Sequence, residues 1–142
     1  VGARDGKFTR ADVKGEDRAQ QKIERGYGGD FRRVNDLVRA SLTFDRLSHM
    51  SACLTKLAAD SELHLVQTDA RKMRLRADFD AAALSGGYRD VQLTVLLKSA
   101  EACERGVDNH LAEVQLHFAP IAALKSEGGH KNYVTRRNLC GQ

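Results

Sequence analysis

Apolar and polar residues alternate with a period of two along three stretches of the chain. In Leu37 to Phe44, Val38, Ala40, Leu42 and Phe44 alternate with Arg39, Ser41 and Thr43. In Tyr88 to Lys98, Val91, Leu93, Val95 and Leu97 alternate with Asp90, Gln92 and Thr94, and in His110 to Phe118, Ala112, Val114, Leu116 and Phe118 alternate with Glu113, Gln115 and His117. Successive side chains of a strand point to opposite faces, so each stretch predicts a half-buried β-strand. Glu62 to Gln67 predicts a shorter one. Leu47, Met50, Leu54, Leu57 and Ala58 recur instead at helical spacing, which predicts an amphipathic helix over Ser48 to Ala59, with Met50 and Cys53 as packing residues. Thr9 to Arg25 has helix-forming composition and runs into the glycine-rich GYGGD, a C-terminal stop. Thr68 to Ser85 follows neither period and is expected to be a mobile or inserted segment.

Three strands with the same division imply one sheet with helices packed on its apolar face, in one mixed α/β (α+β) domain. The other face would carry Arg39, Ser41, Asp90, Gln92, Glu113, Gln115 and His117. Either it is simply solvated or it is a site. On the predicted first helix, Lys14, Arg18, Lys22 and Arg25 fall at i, i+4, i+8 and i+11, within one sector of its surface. That cluster reads as a solvated charged face or as a cradle for a polyphosphate.

The length of 142 residues fits a single domain, here read as a basic helical segment over residues 1–30 and a core over residues 34–136. An apolar share of 42% excludes fibrous and disordered classes, and no apolar run is long enough to span a membrane. A formal charge of +4, spread along the chain, points to a small phosphorylated partner rather than to bulk coating of nucleic acid. Cys53, Cys103 and Cys140 are odd in number and form no CxxC pair, so neither a disulfide framework nor a zinc site is predicted. The chain opens on Val1 and charged residues rather than on a signal peptide, which fits an internal fragment or a processed product and a cytoplasmic setting.

Two carboxylates are the candidates for chemistry. Asp36 stands at the entrance of the first alternating stretch and Glu113 in the middle of the last, so neighbouring strands would let both oxygens meet on one cation. Mg²⁺ suits the pair, because it takes hard oxygen ligands and is usually held by one or two carboxylates together with substrate phosphates. The structural alternatives are a cap or turn role for Asp36 and an ion pair between Glu113 and Arg39.

Four motifs in order, DLVR at Asp36 to Arg39, GGY at Gly86 to Tyr88, AEVQL at Ala112 to Leu116 and GHKNY at Gly129 to Tyr133, resemble the synthetase domain of the RelA/SpoT family, the alarmone synthetases. The resemblance covers Lys14 to Arg136. It implies a nucleotidyltransferase-like fold and transfer of the β,γ-pyrophosphate of ATP to the 3′-hydroxyl of GDP or GTP. It also implies that Asp36 and Glu113 hold Mg²⁺, with Arg39 and Gln115 beside them. Lys14 and Lys22 match the lysines that contact ATP phosphates, with Arg18 on the same helix face. Tyr88 matches the tyrosine that stacks on guanine, and Gln92 and His117 fall on further motif positions. His130 and Tyr133, preceded by Lys125, would close the pocket from a short helix. Some small relatives use other acceptors, so an adenosine nucleotide or the 3′ end of a tRNA is a further candidate partner. Against the family patterns GYxSxH and E-x-Q-x-R-T this chain reads GYRDVQ and EVQLHF, with His117 in place of the arginine, and Asp12 replaces the first arginine of R-x-K. These departures support a second expectation, a catalytically degenerate nucleotide-binding or assembly module.

Overall fold

A computed structural model, which describes residues 6–66 and 72–124, turns the alternating stretches into the middle of one five-stranded sheet. The strands are β1 (Gly6–Arg10), β2 (Val38–Phe44), β3 (Leu63–Val66), β4 (Val91–Leu97) and β5 (Leu111–Phe118), in the order β1-β2-β5-β4-β3. Only the β2–β5 pair is parallel; β1–β2, β5–β4 and β4–β3 are antiparallel. The sheet is therefore mixed.

Its apolar face is covered by α2 (Leu47–Ala59). Met50, Cys53 and Leu57 recur at i, i+3 and i+7 and are the buried residues of that helix, and they pack with Phe44, Val91, Leu93, Val95 and Leu116 into one core. Leu116 sits at its centre with no exposed surface. Burial also pushes the Cys53 thiol pKa up, against the pull of Lys56, which leaves it an inert packing group.

The N-terminal region departs from expectation. Residues 6–10 are not the start of a helix but an edge strand, β1, paired with β2 so that Lys7 faces Thr43 and Thr9 faces Ser41. Gly6 makes this approach possible, since a Cβ there would lie 2.7 Å from the Phe44 ring. Helix α1 (Glu16–Tyr27) begins only after Gly15, and Lys14 precedes it. Its end is as predicted. Gly28 takes the left-handed conformation and the Gly29 amide bonds back to the Ile23 carbonyl.

Residues 72–85 are no loose insertion. Met73 bridges Val91, and the Arg89 guanidinium donates to the carbonyls of Arg74, Arg76 and Phe79 at 3.2, 3.0 and 2.9 Å. Short helix α3 (Ala81–Ser85) follows, capped by the Asp80 carboxylate, which accepts from the Ala83 amide at 2.9 Å. Asp80→Ala should cost about 1 kcal/mol, read as a lowered midpoint in urea denaturation. Helices α4 (Ala100–Glu104) and α5 (Ala119–Leu124) flank β5, α4 being capped by Ser99 and α5 carrying Pro120 in its first turn, where a missing N–H costs little. No described helix is long and apolar enough to cross a membrane.

Candidate active site on the polar face of the sheet

The pairing of β2, β5 and β4 sets the polar residues in rows. Arg39 stands opposite Glu113 and Glu113 opposite Thr94, Ser41 opposite Gln115 and Gln115 opposite Gln92, and Thr43 opposite His117. Residues directly opposite share a face, so these groups form a patch across the three central strands. Simple solvation does not describe it: in these rows Glu113 and Thr94 are each 7% exposed, and Asp36 and Asp90, just ahead of β2 and β4, are 8% and 0%. Ionised groups are rarely buried to that degree without a partner or a task.

At the centre, the Gln115 amide donates to Glu113 Oε1 at 2.7 Å, and the Asn35 amide reaches Thr94 Oγ1 at 3.1 Å, tying the segment ahead of β2 across the sheet. The structural ion pair between Glu113 and Arg39 does not form. Arg39 donates instead to the Asp12 carbonyl at 3.4 Å, and its Nε is buried with no hydrogen-bond partner among the described residues.

Asp36 lies two residues ahead of β2, and because Val38 pairs with Ala112 it sits at the Glu113 end of β5. It serves as neither cap nor turn. Its Oδ2 takes the ammonium groups of both Lys14 and Lys22, the latter at 2.8 Å. Lys22 comes from α1, whereas Lys14 comes from the preceding loop, fixed by its backbone amide on the Leu37 carbonyl. The two lysines thus converge without sharing a helix, while Arg18 and Arg25 stay exposed on α1. Burial works to raise the Asp36 pKa, but the two lysine hydrogen bonds and charges outweigh it and hold the carboxyl below its usual range. Burial and the neighbouring Lys22 charge lower the Lys14 pKa against the pull of Asp36, whereas for Lys22 the bonds to Asp36 and Tyr27 overcome burial and raise it.

A carboxyl depressed in the folded state stabilises the fold above its unfolded pKa, and that stabilisation is lost as pH falls through the carboxylate range to the folded pKa. The stability advantage of the native chain over Asp36→Asn should therefore shrink on acidification from pH 6 to pH 3, read from urea midpoints at each pH.

Asp36 Oδ1 is buried and has no hydrogen-bond partner among the described residues. A hard oxygen held dry and unsatisfied fits a cation. No group of three or more acidic, histidine or cysteine side chains able to hold a metal occurs among the described residues. A carboxylate pair completed by substrate phosphates suits Mg²⁺ rather than a fully protein-made cage.

The other end of the patch is aromatic. Tyr88 Oη and His117 Nδ1 are 2.8 Å apart, with ring centroids at 6.3 Å and planes at 50°. The Arg74 guanidinium lies 5.6 Å above the Tyr88 ring and is anchored through Nε on Asp90 Oδ1 at 2.6 Å. Ser85 Oγ donates to the Tyr88 carbonyl, fixing the turn that follows Gly86 and Gly87. Sequence reading missed Arg74, whose only signal was Asp90, an acid at a buried strand entrance in need of a cation. Lys125, His130 and Tyr133 lie outside the described residues.

Among solved structures with this architecture, the small alarmone synthetase 1 from Bacillus subtilis bound to its product pppGpp matches with a TM-score of 0.65 at 16% identity, over 90% of this chain and 62% of that one. A GTP pyrophosphokinase family protein from Streptococcus pneumoniae matches at 0.63 and 16%, over 89% and 59%. The small alarmone synthetase 2 from Bacillus subtilis matches at 0.60 and 17%, over 94% and 64%. The chain thus spans about three-fifths of the length of these proteins. No protein-family model matches the sequence, and neither does any curated protein. The likeness is one of fold, the fold that the small alarmone synthetases have.

Proposed function

Because the chain folds as the small alarmone synthetases do, we propose that it is a nucleotide pyrophosphokinase, moving the β,γ-pyrophosphate of ATP to the 3′-hydroxyl of GDP, GTP or another nucleotide. One observation carries the reading: a half-buried polar face has a cationic and carboxylate end, Lys14, Lys22 and Asp36, and an aromatic end, Tyr88 and His117, with Glu113 and Gln115 on the strand between. Transfer between two nucleotides needs such a layout, with the donor's phosphates at one end and the acceptor's base at the other. The Bacillus subtilis protein was solved with pppGpp, a product of the kind this reading expects.

In the proposed reaction the acceptor's 3′-oxygen bonds to the β-phosphorus, the bond from that phosphorus to the α,β-bridging oxygen breaks, and AMP leaves. Lys14 and Lys22 would exchange Asp36 for the donor phosphates, with Arg18 at the mouth. Arg39, its Nε unsatisfied, would meet the charge that builds on the transferred group. Glu113, which holds one oxygen on Gln115, would take on the other the proton that the acceptor's 3′-hydroxyl gives up. Asp36 and Glu113 would hold Mg²⁺, which when bound neutralises phosphate charge. Tyr88 would take the base, with Gln92 and His117 along its path. Incubation with labelled ATP and, in separate reactions, GDP, GTP, an adenosine nucleotide or tRNA should give AMP and a 3′-pyrophosphorylated product with one acceptor. Absence of AMP with all of them would overturn the reading.

A second reading has its own support. Both lysines are already spent on Asp36, which is how a donor site that no longer admits ATP would look, leaving a nucleotide-binding or assembly module. Calorimetry separates the two. Mg²⁺-dependent ATP binding supports the enzyme, and absence of all nucleotide binding supports the assembly role.

A further inference from the structure

Three consecutive residues, Tyr88, Arg89 and Asp90, each grip the loop that carries Arg74. Asp90 takes it twice, its backbone carbonyl accepting from the Arg74 amide at 2.9 Å and its carboxylate from Arg74 Nε at 2.6 Å. Arg89 takes the Arg74 carbonyl at 3.2 Å, and Met73 pairs with Val91 just before it. Tyr88 receives the guanidinium on its ring. A loop arginine does not ordinarily have its backbone and side chain fixed from several directions. Here the effect falls on the ring: Tyr88 is held at its hydroxyl by His117 and on a face by a guanidinium that cannot drift.

We infer that Arg74 is a positioning residue, which holds the Tyr88 ring in the orientation that receives the acceptor's base. The inference rests on the proposed role of Tyr88 as the base platform. A ring fixed before the ligand arrives loses no rotational freedom when a base stacks on it, so binding is stronger for the same contact area. The planar guanidinium supports a ring face as an ammonium does not, while Asp90 neutralises the charge and leaves the site fit for an uncharged base.

The test uses the full chain and Arg74→Lys, which keeps a cation for Asp90 but removes the plane. With ATP and GDP varied in turn, the acceptor KM should rise about fivefold, while the ATP KM and kcat at saturating GDP stay unchanged. In a Tyr88→Ala background, the same substitution should add nothing. An unchanged acceptor KM in Arg74→Lys beside a raised one in Tyr88→Ala overturns the positioning role alone, as does an equal rise in both KM values, which would mark a general structural defect. An unchanged acceptor KM in Tyr88→Ala overturns the platform reading itself. Independently of turnover, the ring resonances of ¹³C-labelled Tyr88 should shift or broaden in Arg74→Lys; unmoved resonances would refute the inference.

Discussion

Glu113→Gln should leave the fold intact and reduce product formation from ATP and an acceptor nucleotide at least a hundredfold, the scale of one lost charge-stabilising group, about 2.7 kcal/mol at 1.36 kcal/mol per decade. The substitution changes charge and almost nothing else. Glu113 is 7% exposed and accepts from the Gln115 amide, and a glutamine carbonyl accepts the same bond in the same space. Urea denaturation should place the variant within about 1 kcal/mol of the native chain. Chromatographic separation of AMP and the transferred product measures the other half. Full activity in this variant would remove Glu113 from the reaction and, with it, the proposed cation site.

The largest effect on stability is expected from Arg74→Met. Asp90 has no exposed surface, and the Arg74 guanidinium is bonded to its carboxylate through both Nε and Nη2. Removing one partner of a buried pair typically costs about 3–5 kcal/mol, a large part of the roughly 5–15 kcal/mol that holds a domain together. Adding Asp90→Asn to this variant should recover much of the loss, because the remaining group is then neutral. A single variant as stable as the native chain would show the pair to be wet. Its behaviour also separates the anchor from the platform: Arg74→Lys tests the ring, Arg74→Met the foundation beneath it.

Much of this arrangement is legible in the chain itself, and the rest is hidden for identifiable reasons. Strands β2, β4 and β5 lie in the interior of the sheet and have one dry face, so each announces itself by alternation. Strand β1 is an edge with Phe8 as its single large apolar residue, 60% exposed, and GKFTR therefore shows no clear period. The lysine pair is legible for the wrong geometric reason. Spacing puts Lys14 and Lys22 on one helix; the fold brings them together on Asp36 from two different elements. The proposed meeting of Asp36 and Glu113 on one cation requires β5 to lie beside and parallel to β2, which alternation permits but does not dictate. Arg74 is hidden more deeply, since the carbonyl contacts made by Arg89 place it and backbone acceptors leave no mark in side-chain periodicity.

Strand β5 is the last of the five in the chain yet occupies the middle of the sheet, between β2 and β4. Until it inserts, the earlier strands form only two hairpin-like halves, β1 with β2 and β3 with β4, each carrying a fragment of the polar face. On the proposed reading the phosphate-binding lysines belong to the first half and the base platform to the second. The polar face is therefore whole only when a single segment completes the hydrogen bonding of both halves, and such long-range closure is intrinsically slow.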